Sequence, residues 1–156
     1  MTNQLLKQNI VKLLKGGNAH ADFEAIIKDI PLNDLGKYPQ SLPYSIWDLV
    51  EHLRIAQWDI LMFSKDPQHH SPEWPKGYWV EKHHQPTAEE WQKSVESYKK
   101  EQEAFSELIE NSDDLLKPLD WGDGQSLLQE ALTLADHTAY HLGEILVLRR
   151  LLGNWG

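Results

Sequence analysis

The sequence contains no cysteine among its 156 residues. Disulfide bonds and thiolate metal ligands are therefore excluded. It also has no uninterrupted apolar run of roughly 18 residues, the length that a membrane-spanning helix needs. The N-terminus is amphipathic rather than a basic segment followed by a long apolar stretch, so we expect no secretory signal. These absences predict a cytoplasmic protein with no membrane partner.

Basic residues are scarce. Lys and Arg total 15 against 24 Asp and Glu, which gives a net charge of -9 and a pI near 5.3. Nucleic-acid binders normally neutralise phosphates with a basic face. Here the densest basic spots are only the pairs Lys99-Lys100 and Arg149-Arg150. We therefore expect neither nucleic acid nor an anionic membrane surface as a partner.

Apolar residues make up 40% of the chain and charged residues 25%, enough for one packed core in a single domain over residues 1–156. Apolar residues recur at helical spacing in four long stretches. The predicted long helices span residues 3–15, 46–64, 88–111 and from Ser126 to Gly153, with a short helical continuation over 21–30. No strand shows clear alternation. The predicted fold is all-α, an antiparallel four-helix bundle.

Polar residues that suit helix N-termini precede these stretches. Ser45 with Asp48, Thr87 with Glu90, and Ser126 with Gln129 each have the spacing of a capping box. Gly16-Gly17 is expected to stop the first helix, and Asn18 to cap the short segment after it.

Residues 65–86 form a long segment between the second and third long helices. Its apolar residues repeat with neither the period of a helix nor that of a strand. It contains four prolines, two His-His pairs and the aromatic residues Trp74, Tyr78 and Trp79. A loop of this length is usually functional. Its aromatic side chains either form the wall of a small-molecule pocket or pack the loop onto the helices. Adjacent histidines chelate one ion poorly, so we expect His69-His70 and His83-His84 to be solvent-exposed rather than a second metal site.

Two histidines in the last helix, His137 and His141, are four residues apart. At about 100° per residue, His141 falls on the apolar stripe and His137 about 40° to one side of it. His52 lies at the edge of the apolar stripe of the second long helix. If these two helices pack together, three imidazoles converge on one point. The alternative is that the histidines are hydrogen-bonded features at the edge of the core.

Three neutral imidazoles would leave a Zn²⁺ ion its full charge and an open position for water or substrate. Ni²⁺, Fe²⁺ or Mn²⁺ are further candidates, because the ligand set does not decide between them.

Helical geometry places four carboxylates near the triad: Asp48, Asp59, Asp136 and Glu144. One could accept a hydrogen bond from a ligand histidine or act as a general base. Since Asp48 is committed as a cap, Glu144 and Asp59 are the better candidates, and the alternative is that all are solvated. Gln102, which interrupts the third helix's apolar stripe, either reaches the site or marks the end of the buried region.

Several segments resemble the DinB/YfiT-like superfamily of metal-binding four-helix bundles. HTAYHLGEILVLRRLLG resembles the last-helix motif of that family, and SIWDLVEHLRIAQWDI its second-helix motif with a single histidine. DGQSLLQEAL and SPEWPKGYW are similar to one subgroup. The resemblance implies a metal triad of His52, His137 and His141. Relatives commonly carry Gln where this chain has Glu144, so the resemblance assigns that residue no role.

The resemblance implies three possible functions. The first is metal-dependent chemistry on a small molecule, either thiol S-transferase-like with a low-molecular-weight thiol or hydrolase-like. The second is a non-catalytic, metal-binding stress-response protein in which the ion holds two helices together. The third is a dimeric interaction module, since the family resemblance implies homodimers.

Overall fold

The computed structural model describes residues 2–155, and over that range the chain is all-helical, as predicted. It forms α1 (Thr2–Lys15), α2 (Phe23–Ile27), α3 (Ile46–Lys65), α4 (Ala88–Asn111) and α5 (Leu127–Leu151). Short 3₁₀ turns occupy Leu32–Asp34, Pro39–Ser41 and Lys76–Tyr78. Within these described residues the extended backbone pairs only at an isolated bridge between Pro118 and Ser126.

The helices pack in two pairs that lie against each other. Helix α3 packs against both α4 and α5, while α1 packs against the same two helices and α2 against α5. One buried cluster joins the first half of α3 to the end of α5 and includes Leu49, Leu53, Ile145 and Leu148. A second cluster joins α1 to α4 and the start of α5 and includes Ile10, Phe105, Ile109 and Leu134. The packing of α3 on α5 brings the two histidine-bearing helices together.

The starts of the long helices follow the predicted caps. The Ser45 hydroxyl accepts from the Asp48 amide at 3.2 Å, and the Asp48 carboxylate accepts from the Ser45 amide at 2.9 Å. Thr87 and Glu90 form the same reciprocal pair at the start of α4. At α5 the Ser126 hydroxyl accepts from the Gln129 amide at 3.3 Å. Because these bonds satisfy amides that a helix leaves free, they define where each helix begins.

The segment between α1 and α3 differs from the prediction. Asn18 does not cap a helix; its side-chain amide donates to the Lys12 carbonyl at 2.9 Å and so closes the end of α1. The cap of α2 is Asp22, whose carboxylate accepts from the Ala25 amide at 2.8 Å. Helix α2 is correspondingly shorter than the predicted 21–30 segment. Gly16, with φ of 78°, provides the left-handed turn that ends α1.

Within residues 2–155, no helix combines the length and the apolar character needed to cross a membrane.

Candidate metal centre

Three histidines from two helices meet in the interior. His52 comes from α3, and His137 and His141 come from successive turns of α5. One ring nitrogen of each lies within 4.8 Å of the other two, and the Nε2 atoms of His52 and His137 are 2.9 Å apart. His52 and His141 are buried, and His137 is half-buried. No other group of three such ligand side chains occurs in the described part of the chain. The structure therefore brings together the three histidines that the sequence singled out.

The ring of His52 is held on two sides. Its Nδ1 donates to the backbone carbonyl of Tyr78 at 2.9 Å. A carbonyl only accepts, so Nδ1 carries the proton and Nε2 of the neutral ring keeps its lone pair. The indole of Trp79 stacks on the same ring, with centroids 4.1 Å apart and planes 3° from parallel. The long loop thus orients His52 with Nε2 facing the other two histidines.

The ring of His141 is held by a carboxylate. Its Nδ1 lies 2.6 Å from one oxygen of Glu144, and the other oxygen of Glu144 accepts from the Tyr44 hydroxyl at 2.7 Å. The hydrogen bond to Glu144, together with burial, raises the pKa of Tyr44 to about 12, so this hydroxyl remains a donor at neutral pH. With Nδ1 of His141 occupied, Nε2 is the nitrogen available for a metal. A carboxylate behind a histidine is a recurrent arrangement in protein metal sites.

The electrostatics favour the neutral form of the His52 and His137 rings. Burial lowers the pKa of His52, and burial with the two neighbouring imidazoles lowers the pKa of His137 to about 4. Neutral imidazole is the form that binds metal ions. The Nδ1 atom of His137 is buried without a hydrogen-bond partner among the described residues. Nitrogens that share a tetrahedral zinc ion lie about 3.3 Å apart, so modest ring adjustments would suffice. The donor set fits a divalent metal.

Asp59 lies beyond direct contact with the triad. Its carboxylate accepts from the Tyr78 hydroxyl at 2.5 Å and pairs with His69 Nε2 at 2.7 Å. Burial and the hydrogen bond to Asp59 raise the pKa of Tyr78 to about 12. Asp59 is therefore placed to anchor the loop that supplies the Tyr78 carbonyl to His52.

The remaining polar candidates form no side-chain hydrogen bond with the three histidines. Asp48 caps α3 and also accepts from the Tyr38 hydroxyl. Asp136 is exposed and forms no hydrogen bond or ion pair with the described residues. The side-chain amide of Gln102 donates to the Leu14 carbonyl at 3.0 Å, which ties α4 to the end of α1. Gln102 therefore has a structural contact outside the site.

The loop histidines form no second cluster among the described residues. His70 is exposed, and His84 pairs with Glu90 at 3.2 Å on the surface. The expectation of exposure is wrong for His69, whose side chain is only 6% exposed. The reason is its hydrogen bond with buried Asp59, a contact between the loop and α3 that the loop's composition does not reveal.

Three contacts with the triad or with Glu144 behind it were not predicted from the sequence. They involve the hydroxyl of Tyr44, the backbone carbonyl of Tyr78 and the indole of Trp79. Tyr44 immediately precedes the Ser45 cap, so its position beside the start of α3 was a usable signal. For Trp79, the usable signal was the aromatic composition of residues 65–86. The Tyr78 contact uses a backbone carbonyl, which every residue has, so residue type could not indicate it.

The comparison with known protein families agrees with this geometry. A model of the DinB superfamily matches residues 18–145, a range that includes all three histidines and Glu144. The chain belongs to the DinB superfamily. No curated protein and no solved structure matches it. Membership of the DinB superfamily and the close group of three histidines together fit a metal-binding protein.

Proposed function

We propose that this DinB-superfamily protein is a metal-dependent enzyme that acts on a small molecule at an open three-histidine site. The reaction is either thiol S-transferase-like, with a low-molecular-weight thiol, or hydrolase-like. The observation that carries the proposal is the convergence of three ring nitrogens within 4.8 Å, with the Nδ1 atoms of His52 and His141 already engaged. Zn²⁺ or Ni²⁺ is the proposed ion, with Fe²⁺ or Mn²⁺ as alternatives.

His52, His137 and His141 would hold the metal. When bound, the cation supplies Lewis acidity that favours the deprotonated form of a thiol or water reaching the site. Since the three ligands are neutral imidazoles, none of the ion's charge would be cancelled by its ligands.

We assign Glu144 two tasks. It orients His141 through one oxygen, and it accepts a substrate proton through a lone pair that the present hydrogen bonds leave free. The Tyr44 hydroxyl fixes the carboxylate in place at 2.7 Å. Asp59 acts indirectly: by holding Tyr78 it positions the carbonyl that orients His52. This replaces the general-base role considered for Asp59 from the sequence.

A groove beside the site supports a small-molecule substrate. It encloses about 580 Å³ and is lined by Tyr44, Trp79, Pro43, Val80 and three charged residues, Lys76, Glu81 and Lys82. This volume is typical of small-molecule pockets. Tyr44 contacts Glu144 and Trp79 contacts His52, so the groove shares two side chains with the surroundings of the triad. We place the substrate there, with Trp79 shielding His52 from water.

The test is a turnover screen on metal-loaded protein. One arm offers low-molecular-weight thiols with an electrophile, and the other offers a panel of esters and amides. Turnover in one arm that is lost in His137→Ala and reduced in Glu144→Gln supports the enzyme and identifies the reaction. A protein that binds metal stoichiometrically and turns over nothing in either arm contradicts it.

That second outcome favours the non-catalytic alternative, in which the ion holds the bundle together. The supporting observation is that the triad joins α3 directly to α5. Metal binding to the folded state alone would then stabilise the fold. Thermal unfolding with and without a chelator measures this effect, and a large drop in melting temperature supports the structural role.

We also propose that the four longer helices form an antiparallel bundle within one domain over residues 1–156, in the cytoplasm. The contacts of α3 and α1 with both α4 and α5 support the bundle.

A homodimer is a further proposal. It is supported by the exposed apolar side chains of Tyr140, Val147 and Leu151, which share one face of α5. Light scattering of Val147→Glu against wild type tests it.

A further inference from the structure

A second cavity lies on the side of α5 that faces away from the histidines. It encloses about 420 Å³ between α1, α4 and α5. Six residues of α5 line it: Leu132, Ala135, Asp136, Thr138, Ala139 and Leu142. At about 100° per residue these positions are centred about 180° around the helix from His137. The cavity is therefore separate from the metal centre, although the two share one helix.

The inner wall of this cavity is mostly apolar, and its half-buried or buried polar side chains are Tyr98, Thr138 and Gln102, none of which is charged. Leu14, Phe23 and Leu142 contribute buried apolar side chains. Tyr98 lines the same cavity, stacks on Phe23 with centroids 3.9 Å apart, and is only 1% exposed. Its hydroxyl is buried beside the Thr138 side chain, which interacts with it, but no hydrogen bond of ordinary geometry satisfies it among the described residues. A buried hydroxyl without a partner is costly, so a ligand that accepts from it gains affinity.

The charges of the lining residues limit the ligand class. Lys15 and Asp136 are both exposed, which places their charges at the rim, and Lys15 already pairs with Glu103 at 3.1 Å. No ionised side chain is available inside to compensate a buried ionic group, which is expensive to desolvate. The occupant must therefore be uncharged at its buried end. A volume of about 420 Å³ suits a single ring or a short chain.

We propose that this cavity binds a small uncharged amphipathic molecule, an apolar ring or short chain with one oxygen that accepts a hydrogen bond from Tyr98. The apolar part packs against Phe23, Leu14 and Leu142. The site does not depend on the metal-dependent function, because none of these side chains belongs to the histidine triad and the cavity lies on another side of α5.

The experiment is a methyl and amide NMR titration of the full chain with benzyl alcohol as the probe. Benzoate and benzylammonium serve as charged comparators of similar size. Benzyl alcohol is expected to give saturable shifts of the Leu14 and Leu142 methyl groups, with the two ions binding at least about tenfold more weakly. No saturable shift up to the solubility limit, or shifts confined to the Trp79 groove, would overturn the proposal, since the cavity would then hold water only.

Two variants and two controls sharpen the test. Tyr98→Phe keeps the ring packing and removes the donor, so benzyl alcohol should bind about 2- to 10-fold more weakly. Ala139→Leu fills the cavity from α5 and should abolish binding, while Ala88→Leu makes the same change at an exposed helix start and should not. His137→Ala should leave binding unchanged. Thermal unfolding verifies that each variant is folded. Unchanged affinity in Tyr98→Phe or Ala139→Leu would refute the assignment.

Discussion

The Nδ1 atom of His52 and the backbone carbonyl of Tyr78 lie 2.9 Å apart, and this hydrogen bond connects the histidine triad to the long loop. The same tyrosine donates its hydroxyl to buried Asp59 at 2.5 Å. Asp59, Tyr78 and His52 therefore form a continuous series of contacts that begins and ends on α3. The position of His52 depends on how firmly the loop is anchored.

Removing the anchor should weaken metal binding without removing a ligand. Tyr78→Phe keeps the carbonyl but loses the hydroxyl that holds it in place, and we expect metal affinity to fall about tenfold, the lower end of effects from groups behind metal ligands. Competition with a chromophoric chelator measures this. The matched control is Tyr38→Phe, which also loses a hydrogen bond to a buried aspartate, Asp48, but contacts none of the triad. Equal affinities for the two variants would contradict the role of Tyr78.

Glu144 should contribute more strongly, because it contacts His141 directly. Glu144→Gln replaces a charged acceptor with an amide that can also present a donor to the ring, so we expect metal affinity to fall about 10- to 100-fold. Tyr44→Phe should produce a smaller loss in the same direction. Asp136→Asn, an exposed carboxylate change on the same helix, is the control. The prediction fails if Glu144→Gln binds metal as tightly as Asp136→Asn does.

Two adjacent arginines provide a matched test of stability. Arg149 is buried and donates to the Ile26 carbonyl at 2.7 Å and to the side chain and backbone of Asn154 at 2.9 and 2.6 Å. A lysine ammonium cannot reproduce this fork. Arg149→Lys should therefore lower the free energy of unfolding by about 2 kcal/mol, whereas Arg150→Lys on the exposed side should change it little. Urea denaturation compares the two, and equal stabilities would show that these contacts contribute nothing.

The half-buried carboxyl of Glu101 predicts a pH dependence of stability. Burial raises its pKa from 4.5 to about 7, with Arg54 opposing the rise, and one of its oxygens has no hydrogen-bond partner among the described residues. Between these two values the folded protein keeps a proton that the unfolded chain has lost, so stability falls as pH rises through that window.

Glu101→Gln removes this loss. After allowance for solvent screening, we expect the variant to exceed wild type by about 1 kcal/mol at a pH above the window, with little difference below it. Urea denaturation at several pH values checks the sign, with Glu107→Gln, on the exposed side of α4, as the control. A difference that is constant with pH would reject the raised pKa.

Helical periodicity explains why the triad could be predicted from the sequence. His137 and His141 are local to one helix, and their angle to the apolar stripe is set by their spacing alone. His52 could be predicted to join them because it lies at the edge of the apolar stripe of α3, and the apolar stripes of neighbouring helices pack against one another. The helix starts at Ser45 and Thr87 followed from side chains that bond to amides three residues away.

The surroundings of the triad could not be predicted in the same way. Tyr44 and Glu144 are 100 residues apart in the chain, and their contact exists only after α3 and α5 pack. The Tyr78 contact uses a backbone carbonyl, which every residue possesses. The burial of His69 depends likewise on Asp59, which lies on another element. Contacts of this kind are set by loop conformation rather than by local pattern.

The most direct test of the metal centre is the metal content of purified protein, measured by mass spectrometry for wild type, His137→Ala and His70→Ala. His70 is exposed and lies outside the triad, so its variant controls for the loss of a histidine. We predict about one divalent ion per chain in wild type and His70→Ala, and almost none in His137→Ala. Metal content in His137→Ala equal to that of wild type would contradict the three-histidine site.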